Sequence, residues 1–108
     1  MTEELRALQQ DYLENVHDMA VRVRRQSQTL KTSFPDLLFL AHQLKGSGGS
    51  LGFPRITEIA RRMSDELNLF FDPAETQRPS PEELSEMLIV ISHELEREVT
   101  SAQRRLRS

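Results

Sequence analysis

The sequence predicts an all-α protein, an antiparallel up-down-up-down four-helix bundle that fills residues 1–108 as a single domain. Three observations predict it. Apolar residues recur at helical spacing in four separate segments. Those segments are joined by two short connections and one longer, proline-bearing loop at about residues 71–81. No stretch alternates apolar and polar side chains as a half-buried strand does. The composition agrees, because 37% hydrophobic and 6% aromatic residues in a chain of 108 suit one core surrounded by helices with wide solvated faces.

The first helix opens at Thr2, a good N-cap, with Glu3 and Glu4 placed at the positive end of the helix dipole. Leu5, Leu8, Tyr12, Val16, Met19, Val23 and Leu30 follow at spacings of three, four or seven, so the helix is expected to reach about Leu30, with a break near Ser27. Glu14, Asp18, Arg22 and Arg25 form its solvated face. Lys31-Thr32-Ser33-Phe34 reads as a short connection. Pro35 suits a first helical turn, and Asp36 suits the same end, so the second helix is expected to run from there to about Leu51. Its stripe is Leu37, Leu40, Ala41, Leu44, Gly48 and Leu51.

Gly52 is well placed as a left-handed helix stop, and Phe53-Pro54 turns the chain into a third helix. That helix carries Ile56, Ile59, Ala60, Met63, Leu67 and Phe70 inward, with Arg55, Arg61 and Arg62 off the stripe. Pro73, Pro79 and Pro81 exclude a helix across the loop. Ser80-Pro81-Glu82-Glu83 then reads as a capping box with proline at the first helical position. The last helix buries Leu84, Met87, Leu88, Ile91, Leu95, Val99, Ala102 and Leu106, and its acidic start and basic end both suit the macrodipole.

One stretch resists its own pattern. His42 to Gly52 follows the apolar period of a helix, yet it holds Gly46, Gly48 and Gly49, each costing ~1 kcal/mol relative to alanine in a helix interior. Such conflicts between local preference and global pattern mark candidate functional sites. At ~100° per residue, His42 points away from the stripe toward solvent, and Lys45 and Gly46 are its neighbours one turn on. Gly49 stands two turns above it, and Leu38 and Phe39 lie on the other side. Gly48 faces inward, where a small residue admits a neighbouring helix. Gly46 and Gly49 face outward and bury nothing, so their use is to let another macromolecule's backbone approach the imidazole.

A neutral imidazole is a nucleophile, and histidine ordinarily changes charge near neutral pH. The run His42, Lys45, Gly46, followed by Ser47 and Gly48 and closed by Leu51-Gly52, resembles the H-x-x-K-G signature of histidine-containing phosphotransfer (HPt) domains. The similarity is strongest over residues 37–60. It implies that His42 accepts a phosphoryl group and passes it to or from an aspartate of a response-regulator receiver domain, with a sensor or hybrid histidine kinase upstream. A cation held beside the transferring group stabilises its equatorial oxygens, and Lys45 is assigned that role. Leu38, Phe39, Gly46 and Gly49 are the expected partner-binding residues. Magnesium is expected from the receiver, since no carboxylates converge on His42, and no metal or cofactor is expected on this chain.

Other classes fit less well. Lysine precedes the glycines and no strand precedes the run, so it is not a P-loop, and Leu51 stands where a dinucleotide fingerprint needs its third glycine. ATP binding and self-phosphorylation are therefore not expected. The net charge of −3 argues against a nucleic-acid module. The absence of cysteine excludes disulfides and thiolate metal sites, and no apolar run reaches the ~20 residues of a membrane span. A cytoplasmic monomer is expected. His17 and His93 lack a second histidine one turn away and read as ordinary. Two alternatives stand beside the carrier: a helical adaptor that docks receivers without accepting phosphate, and a ligand- or metal-binding bundle, against which the lack of inward Glu-x-x-His pairs counts.

Overall fold

A computed structural model describes residues 2–108. Its four helices are α1 (Glu3–Gln26), α2 (Leu30–Ser47), α3 (Pro54–Phe71) and α4 (Pro81–Arg107), and there is no strand among the described residues. The molecule is elongated, 49 × 21 × 19 Å. None of the described helices is long and apolar enough to cross a membrane.

The caps form as the sequence predicts. Thr2 Oγ1 accepts from the Leu5 amide at 3.1 Å. At the start of α4, Ser80 Oγ accepts from the Glu83 amide and Glu83 Oε1 accepts from the Ser80 amide, each at 3.1 Å. Two of the donors that every helix N-terminus leaves unpaired are satisfied there, which fixes where the longest helix begins.

All four helices contribute to one contiguous core. The stripes predicted for α2, α3 and α4 are the buried ones, apart from Leu51, Phe70 and Met87, which are half-buried. In α1 the buried residues are Gln9, Leu13, Val16, Ala20 and Val23; of the expected stripe Val16 and Val23 are buried, Tyr12, Met19 and Leu30 pack half-buried against the core, and Leu5 and Leu8 do not. Leu8 is 60% exposed and Leu5 39%. Leu13 and Ala20, left out of that stripe, join Val16 and Val23 as the residues its neighbours cover fully.

The boundaries of α2 also differ from the sequence expectation. Lys31–Phe34 are helical rather than a connection. The Thr29 carbonyl accepts from the Thr32 and Ser33 amides at 3.2 and 2.9 Å, and the Thr29 and Ser33 hydroxyls bond each other at 2.8 Å. Phe34 stacks on Phe71 with ring centroids 3.6 Å apart, and that packing holds the early turn in place. Pro35 therefore sits inside the helix. The rung it cannot make belongs to the carbonyl of Lys31, an exposed residue whose carbonyl water can serve. At the other end α2 closes at Ser47, four residues before Leu51, and residues 48–52 form turns. Gly52 has φ +94°, the left-handed conformation glycine adopts without strain.

Cross-helix contacts set the register. Tyr12 bonds Ser47 at 2.8 Å, Gln9 Nε2 donates to the Leu51 carbonyl at 2.9 Å, and Arg22 pairs with Asp36 at 2.7 Å. Thus the end of α1 lies beside the early part of α2, and the start of α1 beside its end. Arg62 of α3 pairs with Glu94 of α4, and Arg24 of α1 pairs with Glu96 of α4. Arg24 also reaches Ser92 Oγ at 3.3 Å and His93 Nδ1 at 3.4 Å. Asp36 accepts from Gln26 as well as from Arg22, and these bonds lower its pKa below the ordinary 3.8.

Candidate functional site

His42, Lys45 and Gly46 all lie within α2, on the turns before its end. The helix reaches them because Leu37, Leu40, Ala41 and Leu44 are buried along its opposite face. His42 is exposed and Lys45 half-buried. Residues three apart on a helix share a face, which places the lysine stem one turn beyond the imidazole. A Cβ built on Gly46 would meet nothing within 4 Å, so the backbone there is open to solvent. Gly49 lies beyond the helix, in the turn, exposed. Its amide donates to Thr57 Oγ1 at 3.0 Å.

Leu38 and Phe39 part company. Leu38 is half-buried and packs against the core, while Phe39 is 58% exposed. Phe39 is therefore a large apolar group on the outside of α2, one turn before His42. Gly48 is buried, with φ −58° and ψ −49°. A Cβ there would stand 2.7 Å from Thr57 Oγ1, 2.9 Å from the Phe53 carbonyl oxygen and 3.0 Å from the Thr57 amide nitrogen. This is the close helix approach expected of an inward glycine.

The turn above the imidazole is held from two sides, by Tyr12, expected only as part of the α1 stripe, and by Thr57, which the sequence did not single out. From α1, the Tyr12 hydroxyl meets Ser47 Oγ, which also donates to the Gln43 carbonyl at 2.7 Å. Tyr12 lies parallel to Phe53 at 6.0 Å, and its burial raises its pKa above the ordinary tyrosine value against the opposing pull of the Ser47 bond. From α3, Thr57 Oγ1 accepts from Gly49 and donates to the Lys45 carbonyl at 3.4 Å. Nothing in a helical period distinguishes Thr57 from any other off-stripe polar residue. The one signal was the inward Gly48, which required some group to occupy the room it leaves.

Chemically, the arrangement is an exposed imidazole beside a lysine and bare backbone. Among the described residues no group of three or more histidine, aspartate or glutamate side chains gathers as a metal site. Arg61 is exposed; Arg62 is engaged with Glu94. Set against known protein families, residues 1–105 match the model of the Hpt domain. Comparison with curated proteins and with solved structures gave no match.

Proposed function

The chain belongs to the Hpt domain family, and from that premise we propose that it is a histidine phosphocarrier of a two-component phosphorelay, with His42 as the phosphoryl acceptor. Membership implies histidine phosphotransfer, by carriers rather than free-standing catalysts. The single observation that supports His42 in particular is its exposure on α2, one turn before a glycine with open space around it.

In the transfer, the ring nitrogen farther from the backbone, Nε2, attacks the phosphorus of an aspartyl phosphate on a receiver domain. The P–N bond forms as the P–O bond breaks, and the aspartate carboxylate leaves with the electron pair. The proton on Nδ1 stays with the ring. Lys45 stabilises the charge on the equatorial oxygens and the phosphohistidine that follows. The reverse sequence returns the group to a receiver. Phe39, with the edge of Leu38, supplies the apolar part of the docking surface, and Gly46 and Gly49 leave the partner's backbone room to close. Magnesium is supplied by the receiver partner.

We infer a single-domain, antiparallel up-down-up-down bundle. The pairing of the start of α1 with the end of α2, and of Phe34 with Phe71, supports that topology. A cytoplasmic monomer that meets both receiver and histidine kinase completes the reading.

The test is to mix the protein with a phosphorylated receiver and magnesium and to follow acid-labile, alkali-stable label. The wild type takes label and His42→Ala takes none; Lys45→Ala takes it more slowly. Label that survives in His42→Ala rejects the assignment. Stoichiometric receiver binding without label supports a docking adaptor instead.

A further inference from the structure

The hydroxyl of Thr57 stands inside the backbone ladder at the end of α2. In an unbroken α-helix the Gly49 N–H would donate to the Lys45 carbonyl, four residues back. Here the Gly49 N–H donates to Thr57 Oγ1 at 3.0 Å, and that hydroxyl donates onward to the Lys45 carbonyl at 3.4 Å. The rung before it is retained, Gly48 donating to the Leu44 carbonyl at 3.2 Å; the next, from Ser50 to Gly46, is not made, and the ladder resumes with Leu51 donating to the Ser47 carbonyl at 3.3 Å. One side chain from α3 thus bridges the first of two rungs that the ladder omits. A group inserted into the ladder deforms a helix, and α2 ends here, at Ser47, although its apolar stripe continues to Leu51. Gly48 is what admits the hydroxyl, since a Cβ at that position would lie 2.7 Å from it.

We propose that Thr57 is a positioning residue for the transfer on His42, acting through Lys45. This rests on the carrier reading above. The tethered atom is the carbonyl of Lys45 itself, and the lysine side chain shares a helix face with His42. The tether sets where the chain leaves the helical path, and with it where the ammonium group and the backbone from Gly46 to Gly49 stand relative to the imidazole. Without the hydroxyl, the Gly49 amide and the Lys45 carbonyl lose their shared bridge and close on each other as an ordinary rung, while the stop at Gly52 stays where it is. Small misplacements of a charge-stabilising group lower transfer rates steeply.

The experiment measures single-turnover transfer from a phosphorylated receiver at saturating receiver, so that affinity drops out. Thr57→Val removes the hydroxyl, and Thr57→Ser keeps it. The expected result is transfer roughly tenfold slower in Thr57→Val and near the wild-type rate in Thr57→Ser. In a Lys45→Ala background Thr57→Val slows transfer no further, which a general loss of structure would not produce. If Thr57→Val loses its helical circular dichroism, Thr57→Ala takes its place in both arms. A hydroxyl-free variant as fast as the wild type overturns the proposal, and so does the same tenfold loss in the Lys45→Ala background. A wild type that takes no label brings down the carrier reading itself. That outcome is distinct from normal labelling with an unaffected Thr57 variant.

Discussion

Replacing Gly48 by alanine is expected to destabilise the protein, whereas the same change at Gly46 is expected to stabilise it. Both residues have helical backbone conformations, so relief of glycine's conformational freedom offers each a gain of about 0.5–1 kcal/mol. At Gly46 nothing opposes the gain, because the added methyl group meets no atom within 4 Å. At Gly48 the methyl lands 2.9 Å from the Phe53 carbonyl oxygen and 3.0 Å from the Thr57 amide nitrogen, as well as 2.7 Å from Thr57 Oγ1. Two of these three atoms are backbone at the start of α3 and cannot rotate aside. Overpacking of that kind costs about 1–3 kcal/mol, which outweighs the propensity gain and leaves a net loss of roughly 1–2 kcal/mol. The two variants should therefore differ by about 2 kcal/mol, or roughly 8 °C in Tm for a domain of this size. Thermal and urea unfolding followed by far-UV circular dichroism measure the difference. Adding Thr57→Ala to Gly48→Ala should recover only part of the loss, since the backbone contacts persist. A Gly48→Ala protein as stable as Gly46→Ala would refute the close approach on which the geometry around Thr57 depends.

Three further outcomes follow from the same structure. Phe39→Ala should weaken binding of a receiver domain by on the order of tenfold while changing unfolding free energy by less than about 0.5 kcal/mol, because the ring is mostly in solvent; calorimetric titration giving an unchanged Kd would remove it from the docking surface. Asp36 has its pKa lowered in the folded protein by Gln26 and Arg22, so its contribution is present above the ordinary 3.8 and is lost as pH falls through the folded value. The stability gap between wild type and Asp36→Asn should thus shrink below about pH 4, and a gap independent of pH would refute the pairing; its size is small, the side chain being 36% exposed. Tyr12→Phe removes the 2.8 Å bond to Ser47 but leaves Ser47 donating to Gln43, so urea unfolding should show a loss of about 0.5–1.5 kcal/mol, and no loss would mean that the bond contributes nothing.

The amino-acid sequence by itself determined four helices, the capping box at Ser80, the glycine stop at Gly52 and the common helix of His42, Lys45 and Gly46. All of these depend on neighbours a few residues apart, and helical periodicity and capping chemistry act over that range. It did not determine which apolar residues in the first half of α1 are covered. Leu8 and Leu13 are equally apolar, and only the packing of the other helices leaves the first in solvent and the second fully buried. The ends of α2 were hidden for the same reason. Phe34 is drawn into the helix by stacking on Phe71, thirty-seven residues away in the chain, and the ladder is interrupted ahead of the Gly52 stop by a hydroxyl on Thr57. Tertiary structure decided these because a backbone amide bonds whichever acceptor stands closest in space, and at Gly49 that acceptor belongs to another helix.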